Sequence, residues 1–252
     1  MIPARIRYYC VLLLFFCNAC TLSSDQDREG SNENPPSPGF DLANSDPAAV
    51  ELADSIMVAL GGRESWDNTR YITWRISGEH EYAWDKRSGN VRIESIRDSA
   101  TYLFQPNGEG GRVWIGEEEI VEPDSLSALL RDARRRWRNA SFLLVMPFRL
   151  KEDGITLRYL GEERTDSARY NLLQITVSEG NEAPPGDYLA YVDLADNLIK
   201  MCAALAEDNM DTGDLLVRWE GYARHDHILL PTPQGGSVQV HDRLPEEVFG
   251  EF

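Results

Sequence analysis

From Tyr71 onward the apolar residues fall at every second position, and that period sets the fold class. Ile72, Trp74 and Ile76 alternate with Tyr71, Thr73 and Arg75. Tyr82 and Trp84 alternate with Glu81, Ala83 and Asp85, and Val91 and Ile93 with Arg92 and Glu94. Successive strand residues point to opposite faces of a sheet, so each run reads as a strand with one buried face. Further runs lie near 100–105, 111–116, 155–161, 169–178, 187–194, 197–203, 214–224 and 236–243. Turn-forming stretches such as Ser88-Gly89-Asn90, Asn107-Gly108 and Asp196-Asn197 separate them. About ten strands in an antiparallel meander are too many for a flat open sheet, so the sheet is expected to curl strongly into a half-barrel.

Two segments have helical spacing instead. In "SDPAAVELADSIMVALGG" Asp46 can cap, Pro47 sits in the first turn and Gly61-Gly62 stop the helix. Ala49, Val50, Ala53, Ile56, Met57 and Leu60 line one face. In "DSLSALLRDARRRWRNASFLLVMPF" Leu126, Leu129, Leu130, Ala133 and Trp137 form one stripe, with Arg131, Arg134, Arg135 and Arg138 opposite. A break is expected at Asn139-Ala140-Ser141. The architecture is therefore α+β, a strongly curled antiparallel sheet covered by helices.

The first 20 residues carry Cys10, Cys17 and Cys20, three of the chain's four cysteines. Cys17-Asn18-Ala19-Cys20 follows an apolar run and precedes polar sequence, without the strand and helix that a redox C-x-x-C needs. No second ligand pair completes a structural zinc site. Arg5, Arg7, the short apolar run and small residues read as an export signal over 1–19. Ala19-Cys20 resembles the end of a bacterial lipobox, which makes Cys20 the lipidation site and the membrane the partner reached through that anchor. The alternative is an ordinary signal peptide with an incidental cysteine. Residues 20–46, rich in Ser, Asn, Pro and acids, read as a disordered tether. A single domain is expected over 47–252. A formal charge of -17 argues against a nucleic-acid partner.

Trp137 and Asn139, then Phe142, Leu144, Met146-Pro147-Phe148, Leu150 and Asp153-Gly154, resemble a segment of an uncharacterised family of exported bacterial proteins. "PPGDYLAYVD" (184–193) and "LPEEVF" (244–249) are similar to the same family. That family is similar in fold to the LolA/LolB-like lipoprotein carriers, in which a curled sheet and a helical lid enclose an apolar cavity. The resemblance implies a protein of the cell envelope, lipid-anchored in the outer membrane and facing the periplasm. It would bind an acyl chain or a lipidated protein. The expected cavity residues are Trp74, Trp84, Trp114, Leu130, Ala133, Trp137 and Phe142. The other reading is a scaffold or interaction lipoprotein whose core is filled by side chains.

No catalytic constellation is present in the sequence, and no cofactor is expected. There is no G-x-S-x-G, and Gly108-Glu109-Gly110-Gly111 lies between strands rather than opening a helix. Glu117-Glu118-Glu119 reads as a solvated turn. A last hairpin centred on Gln234 would set His227 opposite His241, with His225 on the same side. The three imidazoles would then lie on the exposed face, without the outer hydrogen bonds that a tight metal site needs, and no metal is expected. The arginines at 131, 134, 135 and 138 admit two readings: a solvated face, or a surface that docks phosphate head groups or an acidic partner.

Overall fold

The computed structural model describes residues 33–250 except 77, 166–167, 182, 207–208, 220 and 233–234, and not the side chains of 143 and 206–217. The export signal and Cys20 lie outside the described residues. Two helices come first, α1 (Pro47–Ala59) and α2 (Arg63–Asn68). A meander follows: β1 (Tyr71–Ile76), β2 (His80–Asp85), β3 (Asn90–Ser95), β4 (Ala100–Phe104), β5 (Gly111–Ile115) and β6 (Glu118–Glu119). Strand β14 (Ser237–His241) returns to pair antiparallel with β1, giving a seven-stranded sheet in the order β14-β1-β2-β3-β4-β5-β6.

After β6 the chain forms α3 (Pro123–Val145) and a 3₁₀ turn at Met146–Phe148. Strands β7 (Ile155–Arg164), β8 (Arg169–Val177), β9 (Gly186–Asp193), β10 (Ile199–Ala206) and β11 (Asn209–Arg218) then make a five-stranded antiparallel sheet. A separate hairpin, β12 (Gly221–His225) and β13 (Ile228–Thr232), completes the set. The α+β class and antiparallel pairing match expectation, whereas one strongly curled ten-stranded sheet does not. Fourteen strands among the described residues divide into three hydrogen-bonded sheets, and neither large sheet closes. The reason lies at the junction: β6 is two residues long, and α3 carries the chain away before β7 begins.

The free edge of β7 is covered by residues that composition assigns to the tether. The Ser37 N–H donates to the Lys151 carbonyl (2.9 Å), Asp41 N–H to Ile155 (3.1 Å) and Asp46 N–H to Leu157 (2.9 Å). The Ser45 hydroxyl accepts from Leu157 N–H and the Asp46 carboxylate from Tyr159 N–H, both at 3.0 Å. Phe40 is buried beside them. The compact domain thus begins near residue 32 rather than 47. Short polar side chains here occupy an otherwise unpaired strand edge, a role that composition does not reveal. Asp46 consequently starts α1 without a side-chain cap.

Helix α1 ends where Gly61-Gly62 predict, and its buried face adds Leu52 to the expected stripe. Helix α3 runs unbroken through Asn139-Ala140-Ser141. Ala140 and Ser141 are both buried, so packing outweighs the weaker helix propensity of Asn139 and Ser141. Glu122 caps its start by accepting from the N–H groups of Asp124 (3.1 Å) and Ser125 (2.7 Å). Pro147, which has no N–H to continue the ladder, marks the change to the 3₁₀ turn. Among the described residues no helix is long and apolar enough to cross a membrane.

Candidate functional site

Period-two alternation turns Ile72 and Trp74 of β1, Tyr82 and Trp84 of β2, and Val91 and Ile93 of β3 to one face, in register across the strands. Helix α3 lies on that face. The Trp137 ring sits 5.3 Å from Trp74 and 5.5 Å from Trp84, centroid to centroid, and Trp74 stacks on Tyr82 at 4.9 Å. Leu130 meets Gly111, where an added Cβ would lie 2.7 Å from Leu130 Cδ2. Ala133 is buried, and Phe142 reaches the other sheet, 4.7 Å from the Tyr188 ring. At these spacings the helix and sheet meet directly, and the layer is filled by their own rings.

Trp114, expected in the same layer, lies on the opposite face. Thr101 pairs with Trp114 and Tyr102 with Val113, so Val113 is the inward residue of β5 and is fully buried. Arg112 covers Trp114 at 4.5 Å and bonds Glu119, which is thus part of β6 rather than a solvated turn. The alternation in "GRVWI" carries this information, and ring size points to the wrong member of the pair.

Two polar features interrupt the layer. The Trp74 indole Nε1 is buried and has no hydrogen-bond partner among the described residues. At one end Arg136 donates to His80 Nε2 at 3.2 Å, which places the His80 proton on Nδ1, and its guanidinium lies 5.9 Å from the Tyr102 centroid. Burial, with the Arg136 charge second, pushes the His80 pKa down against Glu79 and Asp98. Burial raises the Tyr82 and Tyr102 hydroxyls. Among the described residues Arg136 forms no ion pair. Sequence reasoning missed Arg136, one of five arginines between 131 and 138, because its partner His80 is 56 positions away.

The arginine face is also narrower than expected. Arg131, Arg135 and Arg138 are exposed, Arg131 bonding Ser127 (3.0 Å) and Arg135 pairing with Asp132 (3.0 Å). Arg134 turns inward instead: it donates to the Gly110 carbonyl at 2.8 Å and lies 5.6 Å from the Phe104 ring centroid, and burial lowers its pKa. It belongs to the packing of α3 rather than to a docking face.

The other face of the seven-stranded sheet holds a cleft of ≈ 500 Å³ beside the terminal "LPEEVF" segment. Its charges are largely paired within the fold, Arg75 with Glu81 and Arg92 with Glu94, and Phe249 stacks near Tyr71 at 6.2 Å. His241 shares a 2.8 Å hydrogen bond with Thr73. The expected histidine cluster forms only in part: burial, and then the charge of the nearby His241, push the His225 pKa down. β13 pairs with β12, setting His225 opposite Ile228, and His227 is exposed in the turn. β14 pairs with β1 instead. Among the described residues no group of three or more His, Cys, Asp or Glu is placed to hold a metal ion.

No protein-family model and no curated protein matches the chain. It is similar to several solved structures at low sequence identity. One is a DUF1329 family protein from Desulfovibrio piger, with 13% identity, covering 81% of this chain and 98% of that one, TM-score 0.44. Another is a LolA superfamily protein from Nitrosomonas europaea, with 12% identity, 78% and 96% coverage, TM-score 0.38. A third is the lipoprotein LppX of Mycobacterium tuberculosis, with 11% identity, 64% and 88% coverage, TM-score 0.28.

Proposed function

We propose that this chain is a non-enzymatic lipoprotein of the bacterial cell envelope, anchored through Cys20 in the outer membrane and facing the periplasm. In this reading it takes an acyl chain, from a lipid or a lipidated protein, between α3 and the seven-stranded sheet. The observation that carries the reading is the unpartnered indole N–H of Trp74 inside an otherwise apolar aromatic layer. A buried donor without a partner costs about 1–3 kcal/mol. An ester or carboxyl oxygen entering the layer would satisfy it, while Arg136 at the end of the layer offers a cation to an acidic head group. Movement of α3 away from the sheet is required, because Trp137 fills the space in this state.

Each buried methylene would contribute about 0.8 kcal/mol, so ten would give roughly 8 kcal/mol before ordering costs and lid displacement. A soluble form beginning at Thr21, which keeps the segment covering β7, should bind fluorescent fatty acids saturably and with a change in tryptophan emission. Affinity should rise roughly fourfold per added methylene until the layer is full. Direct contact of Trp137 with Trp74 and Trp84 favours a second reading, a scaffold with a permanently filled core. That reading wins if saturable binding is absent at every chain length.

Anchoring has its own test. Cys20→Ala should leave the protein soluble in the envelope or uncleaved, because two or more acyl chains hold a protein stably and their loss removes the anchor. Unchanged membrane fractionation and unchanged mass would rule lipidation out.

A further inference from the structure

The chain has three lysines, Lys86, Lys151 and Lys200. Lys151 pairs with Asp54 at 2.7 Å, and Lys200 pairs with Asp196. Lys86 pairs with no carboxylate among the described residues. Its ammonium donates to the Trp66 carbonyl and lies 3.5 Å over the Trp66 ring, itself buried and stacked on Phe148 at 4.3 Å. The carboxylates nearby are already engaged. Asp67 bonds Arg63 (3.0 Å), Asp85 bonds Arg70 (3.1 Å), and Glu152 bonds Arg149.

Among the described residues Lys86 and Arg87 therefore form no direct ion pair, and Asp67 and Glu152 act on Lys86 only from a distance. Lys86 and Arg87 line a cleft of ≈ 270 Å³ with Trp66, Asn68, Thr69, Arg70 and the Arg63-paired Asp67, at the end of α2 and the β2–β3 turn. The turn is held rigid: the Asp85 carboxylate accepts from the Arg87 N–H at 3.0 Å as well as from Arg70. Burial works against the Asp85 charge, but these hydrogen bonds and the Arg70 guanidinium hold its pKa below the usual carboxylate range. Burial lowers the Lys86 ammonium to about 8, with Arg63 adding to the effect and Asp67 and Glu152 opposing it.

We infer that the Lys86–Arg87 cleft is a binding site for a phosphate group, carried either by free phosphate or by a phospholipid head group. An ammonium and a guanidinium lining one cleft match the several acceptor oxygens of phosphate. The volume lies below the usual range of ligand sites, about 300–1,000 Å³, which suits a phosphate group rather than a larger metabolite. Bound phosphate favours the charged amine and raises its pKa, so binding is strongest below the amine's own value and fades as pH rises through it. The Trp66 ring beneath Lys86 lies 6.3 Å from Trp84 of the aromatic layer, but the proposal does not rest on acyl binding, and its failure would leave that reading intact.

The test uses the chain from Thr21 and an amine-acylating reagent, with modification at each lysine read by peptide mass. Inorganic phosphate should slow acylation of Lys86 severalfold while Lys151 and Lys200, as internal controls, stay unchanged. Arg87→Gln should abolish that protection without altering stability, since the Arg87 side chain is exposed. In a second arm, phosphatidylglycerol vesicles replace phosphate, with phosphatidylcholine vesicles as the zwitterionic comparison. Protection by phosphatidylglycerol but not by phosphate assigns the site to a lipid head group. Protection by phosphate alone assigns it to the free ion. No protection in either arm, or equal protection by chloride at matched ionic strength, overturns the proposal. So does protection that persists in Arg87→Gln.

Discussion

Trp137→Ala is expected to destabilise the domain by about 3–5 kcal/mol, the range for truncating a buried aromatic residue. Trp137 is 7% exposed and its ring lies between Trp74 and Trp84, so its removal leaves both partners facing a void. In a domain of this size each kcal/mol moves the melting temperature by about 2–4 °C, so a fall on the order of 10 °C should appear in thermal denaturation. The same substitution separates the two readings of the layer. If α3 is a lid, the void should take up an acyl chain and the fatty acid should bind more tightly and restore part of the lost stability. In a permanently filled scaffold, added fatty acid should leave the melting temperature of the variant unchanged.

Gly61→Ala should also have a large effect, and its neighbour supplies the comparison. Gly61 adopts φ +114°, and a Cβ there would lie 2.0 Å from the His227 carbonyl oxygen. The clash falls where β13 docks on the end of α1, with the Leu229 N–H donating to the Leu60 carbonyl at 2.8 Å. Backbone strain of about 1–3 kcal/mol adds to a similar cost for forcing the hairpin aside, so a loss of about 3 kcal/mol or more is expected. Gly62, at φ +88°, has open space around it, with nothing within 4 Å of where a Cβ would stand. Gly62→Ala should therefore cost only about 1 kcal/mol of strain. Urea midpoints of the two variants measure the difference. Equal losses would show that the Gly61–His227 approach does not constrain the hairpin.

These sites mark where local pattern carries information and where it stops. Pro47 and Gly61-Gly62 bracket α1 as helix chemistry requires. Along β1 to β3 the alternation assigns Ile72, Trp74, Val91 and Ile93 to the buried face, because a strand has only two faces and one is covered. The same rule assigns Val113 inward, and Trp114 misleads only when aromatic size is weighed above strand parity. The α3 stripe of Leu130, Ala133 and Trp137 is equally legible, since residues three and four apart share a helix face.

What the sequence determined by itself is therefore short-range: strand parity, helix stripes, helix ends and the α+β class. Tertiary structure alone decided which strands join which sheet, since β14 pairs with β1 rather than with β13. It also drew residues 41–46 onto the β7 edge, kept α3 helical through Asn139-Ala140-Ser141 and turned Arg134 inward. Arg136 against His80, and Lys86 over Trp66 beside acids already engaged, are arrangements between segments 56 and 20 residues apart. Local patterns record whether a side chain is covered. Which distant group covers it, and whether a cation finds a carboxylate there, depends on the packing of segments whose separation along the chain leaves no periodic trace.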